Sequence, residues 1–208
     1  MEVQRRLARR VSHTAPRHPI RSIAGVDCAF SADGKRCLAA AVVWQADEGV
    51  LEERIVSRPL RFPYVPGLLS FREAPTMLAA LRALRSEPDA LMVDGHGLAH
   101  PRRFGIACHI GVVTGLPSVG CAKSILVGSH GELSPQRGAR ARLAHRDETV
   151  GIALRTRDGV KPVFVSVGHR IDLASCERLV LRCGAGRRLP EPTRRADRLV
   201  AAAKRELT

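Results

Sequence analysis

SIAGVDCAF, at residues 22–30, predicts a buried strand that carries one charge, that of Asp27. An unpaired carboxylate inside an apolar strand is costly, so this aspartate is expected to meet a cation or hydrogen-bond donors. A second apolar run, CLAAAVVWQ at 37–45, follows a turn that contains the dipeptide DG, which is typical of hairpins. With a third strand expected over 50–58, this part of the chain predicts a meander of strands.

Downstream of the meander, short apolar runs alternate with segments whose apolar residues recur at helical spacing. The expected elements are a Pro- and Gly-rich loop at 61–73, a helix at 74–86, a strand at 90–94, a helix from 101 to 115, a strand at 117–123, a polar surface excursion at 128–148, a hairpin of strands at 150–156 and 161–168, and helices at 172–183 and 193–206. This order predicts an α/β fold with a mixed central β-sheet flanked by helices. No repeat or domain break is visible, so a single domain over 1–208 is expected.

The chain is strongly basic. Its 34 Lys and Arg against 20 Asp and Glu give a formal net charge of +14 and a sequence pI of about 11.0. Fixed positive charge attracts phosphates and releases their counterions, so a nucleic-acid partner is expected. The alternative is a basic protein without such a partner. Aromatic residues make up only 3% of the chain, which argues against a platform that stacks many bases.

Several other function classes lack their signatures. The sequence contains no GxxxxGK[ST] loop, no GxGxxG after a strand, no GxSxG elbow and no HExxH. None of the six cysteines forms a CxxC pair, which indicates reduced thiols in a cytoplasmic protein. No apolar run approaches the roughly 20 residues of a membrane span. We therefore expect no membrane partner, and we expect a monomer.

Three carboxylates lie where a metal site would need them. Asp27 is inside the first strand, Asp94 ends the strand at 90–94, and Glu73 stands at the entry to the helix between them. Hard Mg²⁺ prefers oxygen ligands, and two such ions about 3.5–4 Å apart stabilise the attacking and leaving oxygens of phosphodiester hydrolysis. For any one of these carboxylates, the alternative is a cap on a turn or a pairing with arginine.

Other polar residues cluster at the ends of the later strands. GHGLAHPRR at 95–103 contains His96 and His100, whose spacing suits zinc if they share a helix, although the glycines disfavour one. His100 is otherwise a helix-cap neighbour or an acid/base group. Lys123 and His169 each end a predicted strand, and a lysine there can stabilise phosphoryl charge.

Together these segments resemble the endonuclease V family. The matching stretches, in order, are AGVDCAF (24–30), FPYVPGLLSFRE (62–73), VDGHGLAHPRRFGIACHIGV (93–112), PSVGCAKS (117–124), FVSVGHR (164–170) and RLPEPTR (188–194). The resemblance implies an RNase H-like fold and an enzyme that uses Mg²⁺, with Mn²⁺ able to substitute, to cut DNA containing inosine or another deaminated base. It implies hydrolysis of the second phosphodiester bond 3′ of the lesion, which leaves a 5′-phosphate and initiates DNA repair.

The resemblance also assigns catalytic roles to individual residues. The metal-site carboxylates of the family match Asp27, Glu73 and Asp94, and its other catalytic residues match His100, Lys123 and His169.

Substrate-binding roles follow from the same resemblance. Tyr64, the only tyrosine, matches the wedge that enters the duplex at the lesion. Gly95 and Gly97 match the loop whose backbone groups read the flipped base. The alternative for Tyr64 is a core side chain that anchors its loop.

Three other functions fit parts of the sequence. A ribonuclease that acts on inosine in single-stranded RNA shares the same core motifs. A non-catalytic nucleic-acid-binding module would gain nothing from three carboxylates that face phosphate. A zinc protein would use His96, His100 and Cys108 as ligands.

Overall fold

A computed structural model describes residues 1–206 of the chain, and its named strands form one eight-stranded sheet. The helices are α1 (Glu2–Ala8), α2 (Leu69–Arg82), α3 (Ile106–Thr114), α4 (Leu173–Arg182) and α5 (Glu191–Glu206). The strands are β1 (Ser22–Phe30), β2 (Arg36–Gln45), β3 (Gly49–Pro59), β4 (Ala90–Val93), β5 (Ser118–Ala122), β6 (Arg140–His145), β7 (Glu148–Leu154) and β8 (Val163–His169). Within the described residues, no helix has both the length and the apolar character needed to cross a lipid bilayer.

The strand order is β3-β2-β1-β4-β5-β8-β7-β6. β1 is antiparallel to β2 and parallel to β4, and β4 is parallel to β5, whereas the remaining neighbours are antiparallel. The predicted mixed sheet flanked by helices is therefore confirmed. Because β1, β4 and β5 run in the same direction, the residues that follow them meet at one end of the sheet. We call this the carboxyl end and the opposite one the amino end.

Helices cover both faces of the central strands. On β4, Leu91 shares a core with Met77 of α2 and Ile110 of α3, whereas its neighbour Met92 shares the other core with Val180 of α4. All four residues of β4 are buried. A strand that is buried on both faces has no polar side, which explains why this segment is wholly apolar.

Two helices begin well away from the residues that the sequence predicts. α2 begins at Leu69, so Glu73 lies inside the helix and not in a loop. Pro75 also lies inside it. Because proline is usual only in the first turn of a helix, the sequence pattern predicts that α2 begins close to Pro75, which is too late. α3 begins at Ile106, because the residues from 101 form turns before the Gly105 N-cap.

The polar stretch predicted as a surface excursion contains β6, which lies at one edge of the sheet beside β7 and is bridged on its other side by Ser129 alone. Leu143 is its one fully buried residue. An edge strand with so little buried surface leaves almost no alternating pattern in the sequence, which explains why the sequence does not predict it.

The close approach of α5 to β1 depends on Gly25. Side chains alternate along a strand, so Gly25, Asp27 and Ala29 share the face of β1 that meets α5. Ala29 packs against the core that includes Val200 of α5. A Cβ at Gly25 would overlap the backbone of Pro192 in the first turn of α5. The missing side chain therefore lets α5 lie directly against β1, beside Asp27.

Gly25→Ala should lower the free energy of unfolding by about 1–3 kcal/mol, the usual cost of overpacking, because the new methyl group must displace the first turn of α5. Urea denaturation measures this change. Gly131→Ala is the matched control, since Gly131 has no positive φ and a Cβ there meets no atom within 4 Å. Equal unfolding free energies for the two variants would contradict the packing argument.

Candidate active site

Three aspartates from distant parts of the chain converge at the carboxyl end of the sheet. Asp27 lies in β1, Asp94 follows β4, and Asp197 lies in α5. One carboxylate oxygen of each lies within 4.8 Å of an oxygen of both others. Within residues 1–206, this is the one group of three His, Cys, Asp or Glu side chains close enough to hold a shared ion.

Local backbone geometry positions the first two aspartates. The Asp94 N–H donates to the Val26 carbonyl at 3.0 Å, which continues the pairing of β1 with β4 and keeps Asp94 next to Asp27. Asp27 Oδ1 accepts a hydrogen bond from the Cys28 N–H at 2.8 Å, which orients the carboxylate. Asp197 then joins them from the helix that packs on the Gly25 face of β1.

Lys123, the residue after β5, links two of the aspartates. Its Nζ lies 2.6 Å from Asp94 Oδ2 and 2.7 Å from Asp197 Oδ1. The contact with Asp197 is a hydrogen bond, whereas Asp94 Oδ2 is buried and accepts no aligned hydrogen bond. The main chain of Lys123 is held in turn by Arg188, whose Nη2 donates to the carbonyls of Lys123 at 2.7 Å and Pro162 at 2.9 Å.

Burial and repulsion make this cluster electrostatically unfavourable without a cation. Burial and then the charge of Asp94 raise the pKa of Asp27 to about 8. Burial also raises the pKa of Asp94, although the Lys123 ammonium acts to lower it. For Lys123, burial acts to lower the pKa, but its contacts with the carboxylates of Asp197 and Asp94 outweigh it, so the pKa is raised. Converging carboxylates, one with a buried oxygen that accepts no hydrogen bond, fit a divalent cation, because Mg²⁺ prefers oxygen ligands.

Glu73 approaches the cluster from α2 but is not one of the three close carboxylates. Burial raises the pKa of Glu73 to about 7, a hydrogen bond from the Cys28 thiol acts to lower it, and the charge of Asp94 raises it. Glu73 is therefore within electrostatic reach of Asp94. The sequence predicts a metal set of Asp27, Glu73 and Asp94, and the closest set in the structure contains Asp197 in place of Glu73.

Asp197 escapes sequence reasoning because α5 has the pattern of a solvated basic helix. The helix is rich in arginine, and an acidic residue among arginines suggests a surface ion pair. Asp197 comes four residues after Thr193 and three before Val200, both of which are buried. An acid at the border of the buried face of a basic helix is the signal that identifies it.

His169 lies at the amino end of the sheet, away from the aspartates. It ends β8 and pairs with Ser118, the first residue of β5, whereas Lys123 follows the last residue of β5. Its Nδ1 accepts a hydrogen bond from the Ser12 N–H at 3.2 Å. The structure thus corrects the expectation that His169 belongs to the catalytic centre.

His96 and His100 lie in the turns after Asp94 and are both neutral near pH 7. Burial lowers the pKa of each to about 4, and at His100 the charge of Arg102 lowers it further. His100 Nδ1 accepts a hydrogen bond from the Arg102 N–H at 3.2 Å. Among the described residues, these histidines do not form a group with Cys108 that could share an ion. This contradicts the zinc alternative.

Gly97 is enclosed where the chain turns after β4. Its N–H donates to Ser166 Oγ at 2.8 Å, and its carbonyl accepts a hydrogen bond from the Gly105 N–H at 3.0 Å. A Cβ at Gly97 would overlap the backbone of Val167. The Gly97 N–H is therefore engaged within the protein and the absence of a side chain serves packing, so a role of Gly97 in reading a base stays a prediction. Gly95, the residue directly after Asp94, has a φ of 157°.

Tyr64 lies on the surface, 65% exposed. Its loop is fixed through Gly67, whose carbonyl accepts hydrogen bonds from Gln4 Nε2 at 3.0 Å and Arg102 Nη2 at 2.5 Å. The alternative of a core tyrosine that anchors the loop is therefore contradicted, because the anchoring contacts belong to other residues.

Fold and site together are those of an RNase H-like nuclease. The sequence profile of the endonuclease V family matches residues 5–198. An endonuclease V from Roseiflexus castenholzii is 57% identical over 184 residues, which cover 88% of this chain and 82% of the relative. The chain belongs to the endonuclease V family.

Solved structures agree with this assignment. The crystal structure of endonuclease V from Streptomyces avermitilis matches with a TM-score of 0.94 at 47% identity, over 99% of this chain and 91% of that one. Endonuclease V from Ciona intestinalis, crystallised with a DNA that contains an inosine followed by a ribo-adenosine, matches with a TM-score of 0.86 at 23% identity, over 100% of this chain and 97% of that one. The first comparison supports the family and the second shows the shared fold. The expected RNase H-like α/β fold is confirmed.

The raised pKa of Asp27 predicts how stability depends on pH. An acid whose pKa is raised by folding holds its proton more tightly in the folded state, so its contribution to stability falls as pH rises from the unfolded to the folded pKa. For Asp27 this window runs from 3.8 to about 8. In EDTA, the free energy of unfolding should therefore fall as the pH rises across this window. The fall should be smaller in the Asp27→Asn variant.

Added MgCl₂ should stabilise the protein more at about pH 8 than at about pH 5, because a bound cation displaces the protons of the carboxylates. Denaturation at both pH values, with MgCl₂ and with EDTA, measures the effect. The cation site would be refuted if the stabilisation by MgCl₂ were the same at both pH values and unchanged in Asp27→Asn.

Proposed function

We propose that this protein is a Mg²⁺-dependent endonuclease that recognises inosine or another deaminated base in DNA and initiates its repair. It hydrolyses the second phosphodiester bond 3′ of the lesion and leaves a 5′-phosphate and a 3′-hydroxyl. The convergence of Asp27, Asp94 and Asp197 beside Lys123 carries the proposal. Family membership and the inosine-containing DNA bound by the Ciona relative support the choice of substrate.

Asp27, Asp94 and Asp197 would hold Mg²⁺, or Mn²⁺ in its place, and Glu73 would complete the acidic set from α2. Divalent cations bound in such a site stabilise the attacking and leaving oxygens of phosphodiester hydrolysis. The raised pKa values of Asp27 and Glu73 mean that these carboxyls carry protons over part of the neutral range. Asp27 and Glu73 therefore reach their full charge together with a cation.

Lys123 would supply positive charge beside the scissile phosphate. Its raised pKa keeps the ammonium protonated at neutral pH, and Arg188 fixes its main chain through two carbonyls. A charge that is already in place when the transition state forms costs no reorganisation. His100 is neutral and its Nδ1 is an acceptor for Arg102, so it offers Nε2–H as a donor near the DNA rather than a cation.

Tyr64 would act as the wedge at the lesion. The prolines at 63 and 66 restrict the backbone on both sides of it, and the loop is fixed at Gly67, so its exposed ring is presented rigidly. Such a ring can replace the stacking lost when a base leaves the duplex. The turn at Gly95, directly after Asp94, would receive the flipped base beside the aspartates.

The defining experiment compares matched inosine-DNA, inosine-RNA and undamaged DNA in MgCl₂ and maps the cut. We expect cleavage of inosine-DNA at the second bond 3′ of inosine. Asp197→Asn should reduce turnover at least about 100-fold, comparable with the loss of one group that stabilises the transition state. DNA binding should persist, because the net charge of +14 attracts phosphate regardless of the cluster.

Asp47→Asn, in the exposed turn between β2 and β3, is the matched control and should cleave at the wild-type rate. Wild-type turnover by Asp197→Asn would refute the site. Faster cleavage of inosine-RNA than of inosine-DNA would replace the proposed function with that of an inosine-directed ribonuclease.

Tyr64→Ala should weaken binding to inosine-DNA by about 1–3 kcal/mol relative to undamaged DNA, the energy of one aromatic–base stack. Tyr64→Phe should bind almost as the wild type does, because the ring carries the effect. Affinities for both DNAs, measured beside melting temperatures, test this prediction. If Tyr64→Ala keeps its full preference for inosine, the wedge is wrong.

A further inference from the structure

A cavity of about 910 Å³ lies at the amino end of the sheet, where His169 ends β8. The segment 10–20, between α1 and β1, forms one wall of it. Its volume falls in the range of pockets that enclose a small molecule, roughly 300–1,000 Å³. Since the aspartates occupy the carboxyl end, the cavity is separate from the candidate active site.

Two hydrogen bonds fix the wall of this cavity to the end of β8. The Ser12 N–H donates to His169 Nδ1 at 3.2 Å, and the Ser12 carbonyl accepts a hydrogen bond from the Arg170 N–H at 2.7 Å. Arg170 adopts a left-handed conformation with a φ of 50°, which is uncommon for a residue with a side chain. Strained residues of this kind persist where the surrounding structure holds them, often at functional sites.

His169 presents an unpartnered donor to the cavity. The side chain is only 7% exposed, and burial together with the charges of Arg170 and Arg10 lowers its pKa, so the ring is neutral. Because Nδ1 accepts the Ser12 N–H, the proton of the neutral ring is assigned to Nε2. Among the described residues, none forms a hydrogen bond with Nε2. Because His169 lines the cavity, this accessible N–H is suited to an oxygen acceptor on a ligand.

The rim of the cavity is positively charged. Arg10, Arg17 and Arg170 line it, and within residues 1–206 the guanidinium groups of Arg10 and Arg17 form no ion pair or hydrogen bond. Asp89 is the one acidic residue of the lining. Its Oδ2 is already engaged by the main-chain N–H groups of Arg21 and Ser22, both at 2.8 Å. Three arginines against one aspartate leave the lining with a net positive charge, and guanidinium groups match the oxygens of a phosphate group.

The floor of the cavity is apolar. It is formed by Val112, Leu116 and Pro117. Inorganic phosphate alone would leave this surface in contact with water, whereas a nucleobase or another flat apolar group would cover it. The ligand that fits both parts carries a phosphate at one end and a planar body at the other.

We propose that this pocket binds a phosphate monoester attached to a nucleoside, with Arg10, Arg17 and His169 Nε2–H on the phosphate and the apolar floor against the base. The same chemistry is offered by a free mononucleotide and by the 5′-phosphorylated end of a nucleic-acid strand. The proposal does not depend on the function assigned to the aspartates.

Calorimetric titration of the full chain in EDTA tests the proposal with AMP, adenosine, inorganic phosphate and a dinucleotide with and without a 5′-phosphate. AMP should bind at one site, inorganic phosphate more weakly, and adenosine not measurably. The double variant Arg10→Gln/Arg17→Gln should weaken AMP binding at least about tenfold, since charge-assisted hydrogen bonds are lost. Both arginines are exposed, so the fold should be unaffected.

His169→Asn separates ligand binding from structure. The asparagine oxygen can still accept the Ser12 N–H, but the donor at the Nε2 position is lost, so AMP binding should weaken while the melting temperature stays close to that of the wild type. Arg82→Gln removes an exposed charge at the end of α2, outside the cavity lining, and should bind AMP as the wild type does.

The 5′-phosphorylated dinucleotide distinguishes a free mononucleotide from a 5′-phosphorylated strand end as the ligand. If it binds in competition with AMP, the ligand is a strand end, and if AMP alone binds, the ligand is a free nucleotide. Either result supports the pocket. Equal affinity for adenosine and AMP, no binding of AMP, or AMP binding that the Arg10→Gln/Arg17→Gln and His169→Asn variants leave unchanged would overturn it.

Discussion

Mutual repulsion among three carboxylates is the physical constraint that this fold must overcome. Asp27, Asp94 and Asp197 lie with oxygens within 4.8 Å of one another, in surroundings that make charge costly. The fold holds them there by unrelated means: backbone pairing beyond β4, a helix pressed against the side-chain-free Gly25, and the ammonium of Lys123. Each keeps the carboxylates close, and none neutralises them fully. The site is therefore prepared for a cation.

The two ends of the sheet carry opposite electrostatic character. Acidic groups gather at the carboxyl end, whereas arginines and a neutral histidine surround the cavity at the amino end. This separation follows from the topology, because parallel strands send their following residues to one end and an antiparallel strand such as β8 delivers His169 to the other. A chain with a net charge of +14 can thus hold a local acidic site although basic residues outnumber acidic ones overall.

The sequence identifies site residues most clearly where a residue breaks a local pattern. Asp27 interrupts an apolar strand and Asp94 ends another, so the amino-acid pattern alone identifies both. Asp197 breaks no pattern, because its role arises from the packing of α5 on β1, a contact between residues far apart in sequence. His169 shows the converse error: the pattern predicts its place at a strand end but not the direction of β8, and direction decides which end of the sheet it reaches. The start of α2 is misplaced by the pattern because Pro75 lies within the helix.

The location of Asp197 has a consequence for how activity arises during synthesis. β1 leaves the ribosome early, whereas α5 comes last among the described elements, and domains acquire their long-range contacts only when both partners are available. A nascent chain can form the meander and the central strands while its acidic set is still incomplete. The helix that packs over Gly25 then adds the third aspartate. A nuclease assembled in this order has no complete cation site until nearly all of its fold is in place.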